Sequence, residues 1–134
     1  MNLLKKVISQ RLATLGLLTL FSLVIVFHIL VLVQVIPYKI VWGGRLENDM
    51  QMIQFEGISI ALNLIMLALV AIYSGYLKWE INRRWIQLGM WIMVALFLLN
   101  TVGNLFAIND WERWIFTPIT FLLAVFSFRL AIDK

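Results

Sequence analysis

The sequence predicts an all-α, polytopic membrane protein, an antiparallel bundle of four transmembrane helices forming one membrane domain over 1–134. Three observations carry that expectation. Apolar residues make up 63% of the chain and charged residues 13%, where soluble domains run near half and a quarter. The apolar residues fall into four runs, each long enough to cross a hydrocarbon core of ~30 Å. The lysines and arginines gather at the ends of those runs. A soluble fold of this length could not bury so much apolar surface.

The first span is expected over 12–36, a stretch without formal charge that a helix would extend to roughly 37 Å. Lys5, Lys6 and Arg11 precede it as in a secretory signal, but the run is too long for a signal core. Gln34 to Pro37 also offers no small-residue cleavage site, so the span is read as retained. Ahead of it, Leu3, Leu4, Val7, Ile8 and Leu12 share a helical face that Lys5 and Lys6 avoid. That pattern suits an interfacial lead-in or a frayed basic tail.

The second span is expected over 53–77. Its helix should begin earlier, because Asn48 or Asp49 can cap it and Glu47, Asp49 and Glu56 suit its positive end. The third span is expected over 85–108. The fourth is expected over 115–132, with Pro118 in its first turn, where a missing N–H costs nothing. Short connections make consecutive helices antiparallel neighbours.

Orientation follows from the basic residues flanking the spans. With the N-terminus inside, Lys5, Lys6, Arg11, Lys78, Arg83, Arg84, Arg129 and Lys134 are cytoplasmic, and only Lys39, Arg45 and Arg113 are outside. Both termini are therefore expected on the cytoplasmic side of the cell membrane. The tryptophans agree: Trp42, Trp111 and Trp114 would lie at the outer interface, Trp79 and Trp85 at the inner one.

Several chemistries are excluded. The chain has no cysteine, hence no disulfide, thiolate metal site or cysteine nucleophile. Its single histidine, His28, cannot build a multi-histidine metal cage. No catalytic motif is present, so no catalytic residue, metal or cofactor is assigned. The net charge of +4 flanks apolar runs, which points to lipid head groups and topology rather than nucleic acid.

Polar side chains within the spans are costly in lipid and therefore informative. His28 should lie ~12 Å below the outer end of its span, Asn63 ~9 Å, Asn100 ~12 Å and Asn104 ~6 Å. Gln34 and Glu56 sit at the outer rim. Asn100 and Asn104 share one face of the third helix, and Glu56 and Asn63 one face of the second. Two neighbouring helices would thus present polar stripes at matching depth. In the first outer loop, Gly43-Gly44 makes a tight turn that sets Trp42 beside Arg45, an aromatic face next to a guanidinium able to grip an anion or a lipid head group. The candidate binding residues are accordingly His28, Gln34, Trp42, Arg45, Glu56, Asn63, Asn100 and Asn104. Arg129 is expected to snorkel to the inner interface. Small-residue pairs Gly57/Ala61, Ala71/Gly75 and Gly103/Ala107 suggest close helix contacts.

Two functions follow as expectations. The leading one is a non-enzymatic membrane protein, an accessory or interaction subunit whose helices are tied by amide hydrogen bonds. The alternative is a small homo-oligomeric transporter or channel for a polar solute or protons, with Glu56 titrating, His28 relaying and the asparagines coordinating. The expected partners are membrane lipid and either a second copy of the chain or another protein.

Overall fold

The structure, a computed structural model, describes residues 2–42, 45–107 and 110–133. The Gly43-Gly44 turn, Ile108 and Lys134 lie outside them. Five helices follow in order: α1 (Asn2–Val7), α2 (Gln10–Leu32), α3 (Asp49–Ser74), α4 (Arg83–Leu105) and α5 (Thr117–Ala131). No strand occurs among the described residues. Four segments are long and apolar enough to cross a membrane: Gln10–Leu32, Asp49–Ser74, Arg83–Leu105 and Glu112–Ala131.

Side-chain caps fix where three of these helices begin. The Ser9 hydroxyl accepts from the Leu12 N–H at 3.0 Å, which separates α1 from α2. Asn48 accepts from the Gln51 N–H at 2.9 Å, and the Gln51 side chain accepts in turn from the Glu47 N–H at 2.9 Å. Asn82 accepts from the Arg84 N–H at 3.0 Å. Each such cap contributes about 1 kcal/mol.

The α2 helix stops at Leu32 although the apolar run continues to Ile36. Gln34 adopts a left-handed backbone with φ 63°. The Gln34 N–H then reaches the Val31 carbonyl at 3.0 Å and the Val35 N–H the Leu30 carbonyl at 2.9 Å. This bond pair is the Schellman closure of a helix, and hydropathy carries no signal for it. At the other end of the chain, a π-helical turn at Glu112–Phe116 leads into α5. Pro118 explains it: a regular turn would drive the proline ring into the carbonyl four residues back, and the wider turn relieves that clash.

The core gathers Leu17 and Phe21 of α2, Met66 and Val70 of α3, Met90, Met93 and Phe97 of α4, and Leu123 and Leu130 of α5. Helix α4 packs most extensively on α5, and α2 on both α3 and α5, whereas the consecutive helices α3 and α4 touch far less. Consecutive order along the chain therefore does not make α3 and α4 close neighbours along their length.

Close approach occurs at glycines other than those in the small-residue pairs. A Cβ on Gly16 would lie 2.5 Å from the Phe126 ring, and one on Gly89 2.4 Å from Leu69. Gly57 and Gly103 have nothing within 4 Å, and Gly75 instead ends α3 in a left-handed conformation with φ 85°. Gly16→Val should therefore destabilise the protein by about 1–3 kcal/mol, since an aromatic ring cannot bend away. Thermal unfolding in detergent would show the loss, with Gly57→Val as the unaffected control.

The end that holds α1 and the close of α5 is tied by a polar network. The Arg129 guanidinium contacts Asp133 at 2.7 Å and donates to the Ile8 carbonyl at 2.7 Å. Asp133 also accepts from the Tyr73 hydroxyl at 3.1 Å and faces Lys5 at 3.8 Å. The Gln87 amide donates to the Asp133 carbonyl, and Gln10 donates to Tyr73 at 3.0 Å. Arg129 does not snorkel. It is 6% exposed, held within the protein by its ion pair with Asp133 and its bond to the Ile8 carbonyl.

Candidate functional site

At the opposite end, three elements converge on one carboxylate. Glu56 belongs to α3, seven residues into the helix that Asn48 caps, and its side chain is fully buried. His28 comes from the last turns of α2, and Trp42 from the segment that follows. His28 Nδ1 lies 2.5 Å from Glu56 Oε2. The Trp42 indole N–H donates to Glu56 Oε1 at 2.9 Å.

The chain between α2 and α3 folds inward to make this possible. After the closure at Gln34, a 3-10 turn at Tyr38–Ile40 turns the chain back toward the helices. Val41 and Leu46 are buried with Val31 and Met52, so the loop plugs the helix ends. Trp42 itself has φ 56°, a left-handed backbone that is an outlier for a bulky residue and costs on the order of 1–3 kcal/mol. Its bond to Glu56 and its packing on Phe55, with ring centroids 5.0 Å apart, offset that strain. Phe27 walls the other side, 5.7 Å from the His28 ring and 4.9 Å from Phe116.

Chemically, this is a carboxyl group whose two oxygens each meet a ring nitrogen, the Trp42 indole N–H on one and His28 Nδ1 on the other. The His28–Glu56 contact can hold one proton between nitrogen and oxygen, and Nε2 is the second exchange position of the ring. The side chain of His28 is 17% exposed and that of Glu56 0%, so the pair is reached through the histidine. No group of three or more metal-ligating acidic or histidine side chains occurs among the described residues.

The other sequence candidates lie apart from this centre. Gln34 is exposed and acts through its backbone as the end of α2. Arg45 is exposed, and its N–H bonds the Trp42 carbonyl at 3.2 Å. The Trp42 indole N–H turns inward to Glu56. Asn63 is buried but donates to the Ser59 carbonyl of its own helix at 2.8 Å. Asn104 donates to the Thr120 hydroxyl oxygen on α5 at 3.3 Å, and that oxygen lies 3.0 Å from the Thr101 hydroxyl. Asn100 is exposed. The polar stripes of α3 and α4 do not meet, because α4 turns Thr101 and Asn104 to α5 and leaves Asn100 exposed.

Thr101 and Thr120 complete that α4–α5 seam, and sequence reasoning passed over them. Thr101 stands three residues before Asn104 on the same face, and that was the available signal. Glu112 is 4% exposed, although its place beside Asp110 reads as loop. Only the π-helical turn reveals its burial. For the seam, Asn104→Leu should lower stability by about 0.6 kcal/mol and at most ~1.7 kcal/mol. Asn100→Leu, removing an exposed amide, should leave the melting temperature unchanged or raise it; both are read by thermal unfolding in detergent.

No protein-family model, curated protein or solved structure matches this chain.

Proposed function

We propose that the chain is a non-enzymatic, multi-pass protein of the cell membrane, an antiparallel four-helix bundle with both termini cytoplasmic, serving as an accessory or interaction subunit. The observation that carries this reading is the use made of Glu56. Both of its oxygens are engaged by His28 and Trp42, and the result is an outer segment held rigidly on the helix ends. A fixed surface presenting Lys39, Arg45 and the edge of Trp42 suits recognition, because preorganised loops lose little entropy on binding. The asparagines support the same reading, since Asn63 bonds its own helix and Asn104 bonds α5 rather than converging on a solute. The meeting of Lys5, Arg129 and Asp133 at one end accords with termini on one side, and the flanking charges favour the cytoplasmic one.

A photo-crosslinking residue placed at position 45 tests this. In native membranes it should give one discrete adduct, and Glu56→Ala should abolish that adduct by releasing the loop. The second reading, proton-linked transport, draws on the His28–Glu56 pair, because an ionisable pair within a span is a default functional site. Proteoliposomes should show only background flux of protons and small polar solutes. A sustained flux that Glu56→Gln eliminates would replace the interaction reading with the transport one.

A further inference from the structure

The connection between α3 and α4 carries a second cluster that plays no part in the Glu56 site. A cavity of about 500 Å³ opens there, lined on its apolar side by Ile72 and the buried Ile86 and on its polar side by Glu80 and Arg83. Tyr73, Trp79, Ile81 and Asn82 complete the wall. The Arg83 guanidinium stands 6.0 Å from the centroid of the Tyr73 ring, at the outer range of a cation–π contact, which holds its charge at the cavity. Neither Glu80 nor Arg83 forms an ion pair among the described residues. One unmatched cation and one unmatched anion therefore share an amphiphilic cavity.

A ligand complementary to that arrangement carries a phosphate, an ammonium and an apolar tail. A guanidinium binds phosphate oxygens through paired N–H groups. A carboxylate accepts N–H bonds from a primary ammonium, and the exposed Trp79 ring offers that ammonium a cation–π face. A purely anionic head group would set its charge against Glu80, and a quaternary ammonium has no N–H to donate. With the orientation proposed above, the corner lies at the cytoplasmic interface, where the exposed Tyr76, Trp79 and Trp85 suit the head-group level. We propose that this corner binds the head group of an ethanolamine phospholipid, phosphate on Arg83 and ammonium on Glu80. The proposal rests on the membrane reading above but not on the role given to Glu56.

The test uses the full chain, purified in detergent and mixed with ethanolamine, glycerol and choline phospholipids of identical acyl chains at equal concentration. Native mass spectrometry reads the retained lipid. The wild type should retain one ethanolamine lipid with a preference of about tenfold over the other two. Arg83→Gln should cut retention of all three, and Glu80→Gln should remove the preference for ethanolamine while the glycerol lipid is still held. Equal retention of the three lipids by the wild type, or a preference unchanged in both variants, overturns the proposal. Free phosphoethanolamine displacing the lipid at equal concentration would assign the site to a soluble phosphate–ammonium compound and overturn the lipid assignment; failure to displace it supports the lipid. Alkaline carbonate extraction of membranes separates the two readings. A chain that resists extraction but shows no preference overturns this site alone, and a chain that is extracted overturns the membrane reading beneath it.

Discussion

Glu56→Ala is expected to lower the unfolding free energy by about 3–5 kcal/mol, the usual loss when one member of a buried, hydrogen-bonded pair is removed. The cost has two sources. His28 Nδ1 and the Trp42 N–H both lose their partner on Glu56, and a part-buried polar group left unmatched costs up to about 1–3 kcal/mol. The left-handed backbone of Trp42 also loses part of what holds it. Glu56→Gln should cost less than half as much. Its amide oxygen still accepts from Trp42, and its N–H₂ can donate to His28 once the imidazole takes the tautomer with Nδ1 bare. Denaturant unfolding in detergent measures the difference between the two variants. Limited proteolysis should show cleavage between residues 37 and 46 in the alanine variant alone, because the loop is held chiefly from beneath.

Arg129→Met should cost about 3 kcal/mol by the same physics at the other end of the bundle. The buried guanidinium joins Asp133 to the Ile8 carbonyl, so its loss frees the segment before α2 and the end of α5 together. Asp133 keeps Tyr73 and Lys5, which places the loss at the lower end of the range for buried pairs. Arg129→Lys should recover little, because an ammonium cannot reach a carboxylate and a carbonyl in the forked geometry that a guanidinium provides. Thermal unfolding ranks the three proteins. Hydrogen exchange at residues 2–8 should rise in both variants, which a general loss of packing elsewhere would not produce selectively.

Much of the architecture was legible in the residues. Long apolar runs located the four long helices, and of the two caps the sequence offered for α3, Asn48 and Asp49, it is Asn48 that caps it. The boundary at Leu32 was not legible, since Val33, Val35 and Ile36 are as apolar as the helix before them and the stop is made by the backbone of Gln34. Three of the site residues, His28, Trp42 and Glu56, stood out because polar or aromatic groups beside lipid are costly or interfacial. That they meet was not legible. Their contact depends on the inward fold of residues 37–42 and on the rotation of α2 against α3, which packing sets. For the same reason Asn63, Asn100 and Asn104 looked alike in sequence yet face their own helix, the exterior and α5. Arg129 shows the opposite error. Its position near a helix end suggested exposure, but an acid four residues later supplied a partner.

The measurement that bears most directly on the role of Glu56 as a latch for the loop between α2 and α3 is a double-mutant cycle between Trp42 and Glu56. Trp42→Phe keeps the ring against Phe55 and removes only the indole N–H. Combined with Glu56→Ala, it isolates their hydrogen bond. The latch predicts a coupling of about 1.5–3 kcal/mol, as for hydrogen bonds to charged groups. Additivity within about 0.5 kcal/mol would contradict it, showing that the loop is held by its apolar contacts and that the buried carboxylate serves some other end.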